Sequence, residues 1–302
     1  MTEQEILDAR RRRFRVDGDG IRTLEDAQRF ISDVGFSLVY PLRHRLHAPV
    51  ASFMAAYIGS DVGVPYQHVA FADPRATAAT DLMVRLLRSK SAFEVAFHDD
   101  SALLVSAEVF PYYYALVGEK SPKSAPKVTG SHRVSRLAVE IYDAICRHGA
   151  LTKSELRNQH LERGSSLSDA GLERALQELW SVLKITRTDY SPSDGSRWDL
   201  LSRWASEPVQ RGARMSSPQA TSAMISGYLQ GVIAAEESQV ADFMAQFATR
   251  SRALETMRAL VAAREISVAT TGEGKTFLKI TERAPARSVE LAVLKTRKRR
   301  NG

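Results

Sequence analysis

The chain is poor in cysteine, in long apolar runs and in clusters of metal ligands, and each lack removes a class of function. Cys146 is its single cysteine. One thiol closes no internal disulfide and builds no multi-cysteine zinc site; it suits a reducing cytoplasm, the expected location. No stretch reaches the roughly 18 consecutive apolar residues of a membrane span, so no membrane partner is expected. The opening "MTEQEILDARRRRF" lacks the apolar segment of a secretory signal, which argues against export. His44 and His47 are three apart, His98 precedes Asp99 and Asp100, and no cysteine accompanies either group. Zinc needs roughly three to four converging ligands. No metal site and no cofactor are therefore expected. "GDG" and "GEG" read as turns and not as phosphate cradles, and no Ser-His-Asp arrangement has a local signature.

Charge is abundant but uneven. The net charge is +7, and residues 283–302 carry seven basic side chains against one acid, Glu290. The body is thus nearly neutral and the tail holds most of the excess. A cationic tail favours polyanions such as nucleic acid; a disordered, solubilising end is the plainer alternative. A second basic run, "RRRRFR" at 10–15, is partly offset by Glu3, Glu5 and Asp8.

Two stretches with little to bury, residues 119–132 and 205–219, read as linkers. They divide the chain into 1–120, 130–204 and 216–282, followed by the tail 283–302. The middle segment is the clearest. Val134 to Arg147 has helical spacing, with Leu137, Ala138, Ile141 and Ile145 near one face. Thr152 with Glu155 forms a capping box that starts a second helix. Ser168 caps a third, whose buried face is Leu172, Leu176, Leu179 and Leu183, widened by Ala175 and Trp180. Extended runs at 184–189 and 197–201 flank a Pro-Ser-Asp-Gly turn. Three helices and a hairpin are the order of a winged helix.

The third segment repeats that order, with helices at 220–234 and 250–264, a short one between them, and a hairpin of 265–271 and 275–280. The first segment fits it with extra N-terminal helices and a hairpin of 93–97 and 102–110. The run from Val34 to Tyr40 reads as a buried helix end turned by Pro41. The expected fold is mostly α with small β-hairpins (α+β), in three tandem winged-helix domains.

A winged helix lays its third helix in the major groove and its hairpin on phosphate. On the middle unit this nominates Arg174 and Gln177 for base edges, with Lys184, Arg187 and Arg197 on the wing. On the third unit it nominates Arg250, Arg252 and Arg258, with Lys275 on the hairpin. Arg43, His44, Arg45 and His47, beyond Tyr40, form a cationic cluster suited to holding a strand; Arg43 and Arg45 are taken as DNA contacts. Tyr112, Tyr113 and Tyr114 suit base stacking or, more simply, burial.

"FISDVGFSLVYPLR", "LLRSKSAFEVAFHDDSALLVSAEVFPYYYAL", "LAVEIYDAICRHGALTKSELR", "LERALQELWSVLKITR" and "ATSAMISGYLQGVIAAEESQVADFM" occur in that order. Together, over roughly residues 20–280, they resemble the AlkZ/YcaQ-like proteins, a bacterial family of tandem winged helices. The resemblance implies DNA binding and, in the family's glycosylase members, removal of alkylated or crosslinked bases. Those members carry Gln, an apolar residue, then Asp or Gln. An Asp or a Gln-held water stabilises the oxocarbenium character that builds when an N-glycosidic bond breaks. That pattern falls here on Leu38, Val39 and Tyr40, and no Gln, Asp or Glu lies between Gly35 and Ala48. Carboxylates elsewhere in the first segment, such as Glu94 or Glu108, could substitute in principle. The expectation is therefore a DNA-binding protein without catalysis, not an enzyme. A glycosylase with a non-standard catalytic residue and a protein-interaction scaffold are the alternatives.

Overall fold

A computed structural model describes residues 2–43, 46–98, 101–130, 133–161, 167–272 and 274–281. The tail 283–302, His44, Arg45, Asp99 and Asp100 lie outside them. The first segment runs α1 (Glu3–Arg13), α2 (Leu24–Val34), β1 (Phe36–Leu38), β2 (Ala51–Ser52), α3 (Phe53–Ile58), a 3-10 helix (Gln67–Ala72), α4 (Pro74–Arg88), β3 (Ala92–His98), β4 (Ser101–Ser106) and α5 (Phe110–Val117). The second runs α6 (Arg136–His148), β5 (Leu151–Thr152), α7 (Lys153–Leu161), α8 (Asp169–Ser181), β6 (Ile185–Ser191), β7 (Gly195–Leu200), α9 (Leu201–Trp204) and α10 (Ser206–Arg214). The third holds α11 (Ser217–Val232), α12 (Glu237–Met244), α13 (Arg250–Ala262), β8 (Ile266–Thr270) and β9 (Thr276–Ile280). The fold is α+β, with small sheets among helices.

Local signals explain most of these boundaries. Thr23 and Asp26 cap α2 reciprocally, and Thr152 and Glu155 do the same for α7. Ser168 Oγ accepts from the Gly171 amide, and α8 then buries Leu172, Ala175, Leu176, Leu179 and Trp180. Two expectations fail. Val34 to Tyr40 is not a helix end: Gly35, at φ +69°, stops α2 and the chain continues as β1. Residues 205–219 are not a linker but hold α10, which buries Val209. Gly212 there lies so close to α5 that a Cβ would meet the Pro111 carbonyl oxygen at 2.5 Å. A residue that looked loose, Gly212, is what lets α10 approach.

The first sheet has the order β2-β1-β4-β3. β4 pairs antiparallel with both neighbours, Leu104 lying opposite Ser37 and Glu94. Its side chains alternate between two cores. Ala102 and Leu104 face one that continues into Ile141, Leu176 and Trp180 of the second segment. Leu103 and Val105 face another that continues into Met224, Tyr228 and Phe243 of the third. β3 alternates likewise, with Ala92 on the first core and Phe93 and Val95 on the second. The sheet is thus sandwiched, and burial on both faces explains why it reads as near-continuous apolar sequence. Tyr113 and Tyr114 are buried on the same side as Phe110, so their rings are not open to nucleobases.

Candidate active site

The two-period alternation of β3 puts Glu94 on the face toward the second segment, between Ala92 and Ala96. Its side chain is 2% exposed. Helix α8 and strand β6 close over it. Trp180 Nε1 donates to the Glu94 carbonyl at 3.1 Å, and Thr186 Oγ1 donates to the same oxygen at 3.4 Å. The carboxyl Oε2 lies 3.0 Å from Arg187 Nε. The angle is too poor for a hydrogen bond, and neither atom has another partner among the described residues. The Arg187 guanidinium is itself pinned over the Trp180 and Trp198 rings, at 5.4 and 5.6 Å from their centroids. Burial pushes the Glu94 carboxyl above its ordinary range, and the opposing pull of Arg187 does not cancel it.

These groups border a cavity of about 280 Å³ between the first and second segments. Val39, Tyr40, Gln67, Thr80 and Ser101 line it from one side, and Gln177, Trp180, Arg187 and Tyr190 from the other. Tyr40 Oη lies 3.4 Å from Thr80 Oγ1, and Ser101 Oγ donates to the Tyr40 carbonyl. At the rim, Arg88 of α4 grips Asp189 of β6 at 2.5 Å. A cavity lined mostly by polar side chains, with aromatic walls and a perturbed buried carboxyl, has the makeup of a reaction site. Of the three positions on which the family's pattern falls, 39 and 40 are on its wall, so one of the two polar positions, Tyr40, lines it. Leu38 instead packs into the core shared with the third segment and borders a larger cavity.

The residues nominated from sequence are not gathered in one place. Gln177 and Arg187 belong to the cavity wall; Arg187 is held by Glu94 and the two tryptophans. Arg174, one turn before Gln177, is exposed without a partner among the described residues, as is Arg258. Arg43 donates to His68 Nδ1 at 3.2 Å and borders the larger cavity, of about 690 Å³. Arg45 lies outside the described residues. Arg197 bonds the Ala150 carbonyl and Glu155, Arg250 pairs with Asp242, Arg252 donates to Ser217, and Lys275 pairs with Glu3. Lys184 is no wing contact: it is buried and held by Glu119 and by the Ser124 carbonyl. Of the two substitute carboxylates, Glu108 is exposed and 3.5 Å from Ser32 Oγ, away from the cavity. Among the described residues no group of three or more His, Cys, Asp or Glu is placed to hold a metal, and no helix is long and apolar enough to cross a membrane. Sequence reasoning missed Gln67, Thr80 and Tyr190; their only signal was polarity in otherwise ordinary helical and strand positions.

Comparison with known proteins corrects the expectation of a protein that is not an enzyme. Residues 64–296, more than half of the chain, match the model of the family described as DNA glycosylase AlkZ-like. Among solved structures, Streptomyces sahachiroi DNA glycosylase AlkZ superposes with a TM-score of 0.57 at 12% identity, covering 93% of this chain and 70% of that one. No curated protein sequence matches. An expectation built on the missing Gln and carboxylate at 38–40 treated one motif as decisive, whereas the match runs over most of the chain. By that match, the chain belongs to the AlkZ-like DNA glycosylase family.

Proposed function

We propose that this protein is a DNA glycosylase that hydrolyses the N-glycosidic bond of a base turned out of the duplex into the cavity beside Glu94. The observation that carries this reading is the cavity itself. It is close in size to small ligand sites, has aromatic walls and holds a buried carboxyl beside positions 39 and 40. An enzyme that acts on a base must extrude it and read it by stacking and edge hydrogen bonds. Tyr40, Tyr190 and Trp180 offer stacking surfaces, and Gln67 and Gln177 offer amides for the edge. Arg174, Arg258, Arg43 and the basic residues 283–302 are the proposed phosphate contacts, and the three helix-helix-hairpin units are read as winged helices.

The test is direct. The protein is incubated with duplexes carrying single modified bases, and abasic sites are counted. Release of base, abolished when Tyr40 and Glu94 are both replaced by alanine, is the expected result. Duplex affinity should also fall with salt, by a log–log slope of about −0.9 per phosphate neutralised. Binding without release from any duplex would overturn the assignment.

A further inference from the structure

We infer that Glu94 and Arg187 make the cavity an excision site for uncharged bases, with the Glu94 carboxyl handing its proton to the departing base. This rests on the glycosidic reading above and specifies its substrate class. Arg187 is fixed as a cation on the wall by two ring faces. Glu94 is an acid without an aligned partner, 3.0 Å from it and buried. The other titratable groups on the wall are the phenols of Tyr40 and Tyr190. Burial raises the pH at which the Glu94 carboxyl ionises, and below that pH the Arg187 charge stands alone on the wall. A cationic alkylated base entering there meets Arg187 with nothing to offset it, whereas an uncharged base meets no such repulsion.

The chemistry separates the two classes in the same direction. When the C1′–N bond breaks, its electron pair stays with the base. A cationic base leaves neutral and needs no proton. An uncharged base leaves as an anion unless it is protonated, and the Glu94 carboxyl supplies that proton to a ring nitrogen as the bond breaks. Water then adds its oxygen to C1′ and returns a proton to the Glu94 carboxylate. One water is consumed, and the free base and an abasic sugar are released. Arg187 stabilises the carboxylate while it exists, from a position set before the reaction begins.

The experiment uses duplexes identical but for one residue, either uncharged hypoxanthine or cationic 7-methylguanine, with abasic sites read by alkaline cleavage. Hypoxanthine should be released in preference. E94Q should slow that release by about 10²-fold or more without changing duplex affinity. The wild-type rate should fall as pH rises through the Glu94 titration, and that limb should vanish in E94Q. R187Q should raise release of 7-methylguanine relative to hypoxanthine, a gain that damaged folding does not produce. Infrared difference spectra of wild type against E94Q report the carboxyl without turnover, and a protonated C=O band is expected. If only 7-methylguanine is released, or if E94Q is unimpaired, the Glu94 inference falls and the glycosidic reading stands. If the protonated band is absent, the acid role falls. If neither base is released while another modified duplex is cut, this inference falls and the glycosidic reading stands; release from no duplex overturns both.

Discussion

Glu94 is a residue whose setting costs stability, and the sign of that cost can be worked out. Its carboxyl titrates above the ordinary value of 4.5 in the folded chain, because burial outweighs Arg187. The folded state therefore holds a proton that the unfolded chain has already released. Its contribution is fully present below about pH 4.5 and is lost as pH rises through the folded-state value. E94Q, which cannot ionise, should unfold at a higher urea midpoint than wild type at pH 8. The gap should close or reverse at pH 4.5. A gap that widens toward acid would show that the carboxylate, and not the acid, is the form the fold prefers. The sequence named Glu94, as one acid in an apolar strand, but nothing in it placed Arg187 alongside. That pairing joins residues 93 positions apart, from two strands in different sheets.

At the scale of elements, cap chemistry was legible and close approach was not. Thr152 with Glu155 and the inward face of α8 were both readable because each signal lies within one turn or one helix. Residues 205–219 were misread because Gly, Ser and Pro mark both loops and tight helix contacts. Gly212 settles which one applies here: Pro111 O and the Tyr114 ring leave no room for a methyl group. Gly212→Ala should therefore destabilise the protein by about 1–3 kcal/mol, the usual cost of overpacking, despite the better helix propensity of alanine. Chemical denaturation of the pair measures it, and a stabilised Gly212→Ala variant would mean that α10 is free to swing away from α5. The strand Phe36–Leu38 was missed for a related reason. An apolar run that short has no period to read, and only its pairing with Val105, Leu104 and Leu103 defines it.

At the scale of the whole molecule, the repeated order of helices and hairpins was visible in the sequence, but the way the repeats lock together was not. Alternate residues of β3 and β4 commit the central sheet to two cores at once. One core runs into the second segment and the other into the third. Loss of either neighbour would uncover a full face of apolar side chains. The chain should therefore melt in one calorimetric transition, with a van't Hoff enthalpy equal to the calorimetric one. Two or three resolved transitions would show that the segments fold separately. Leu104→Ala and Leu103→Ala, which open cavities on opposite faces, should each cost about 2–5 kcal/mol and lower that same transition.

The shared sheet also decides what a cut in the backbone would do. Residues 119–130 run along the surface after the first segment, and Lys127 and Val128 are exposed. Trypsin acting after Lys127 severs the covalent link but touches neither core. The two pieces should stay together through gel filtration and part only in denaturant. The peptide bond after Lys127 is thus dispensable as a fastener, and the protein behaves there as a non-covalent dimer of its own halves.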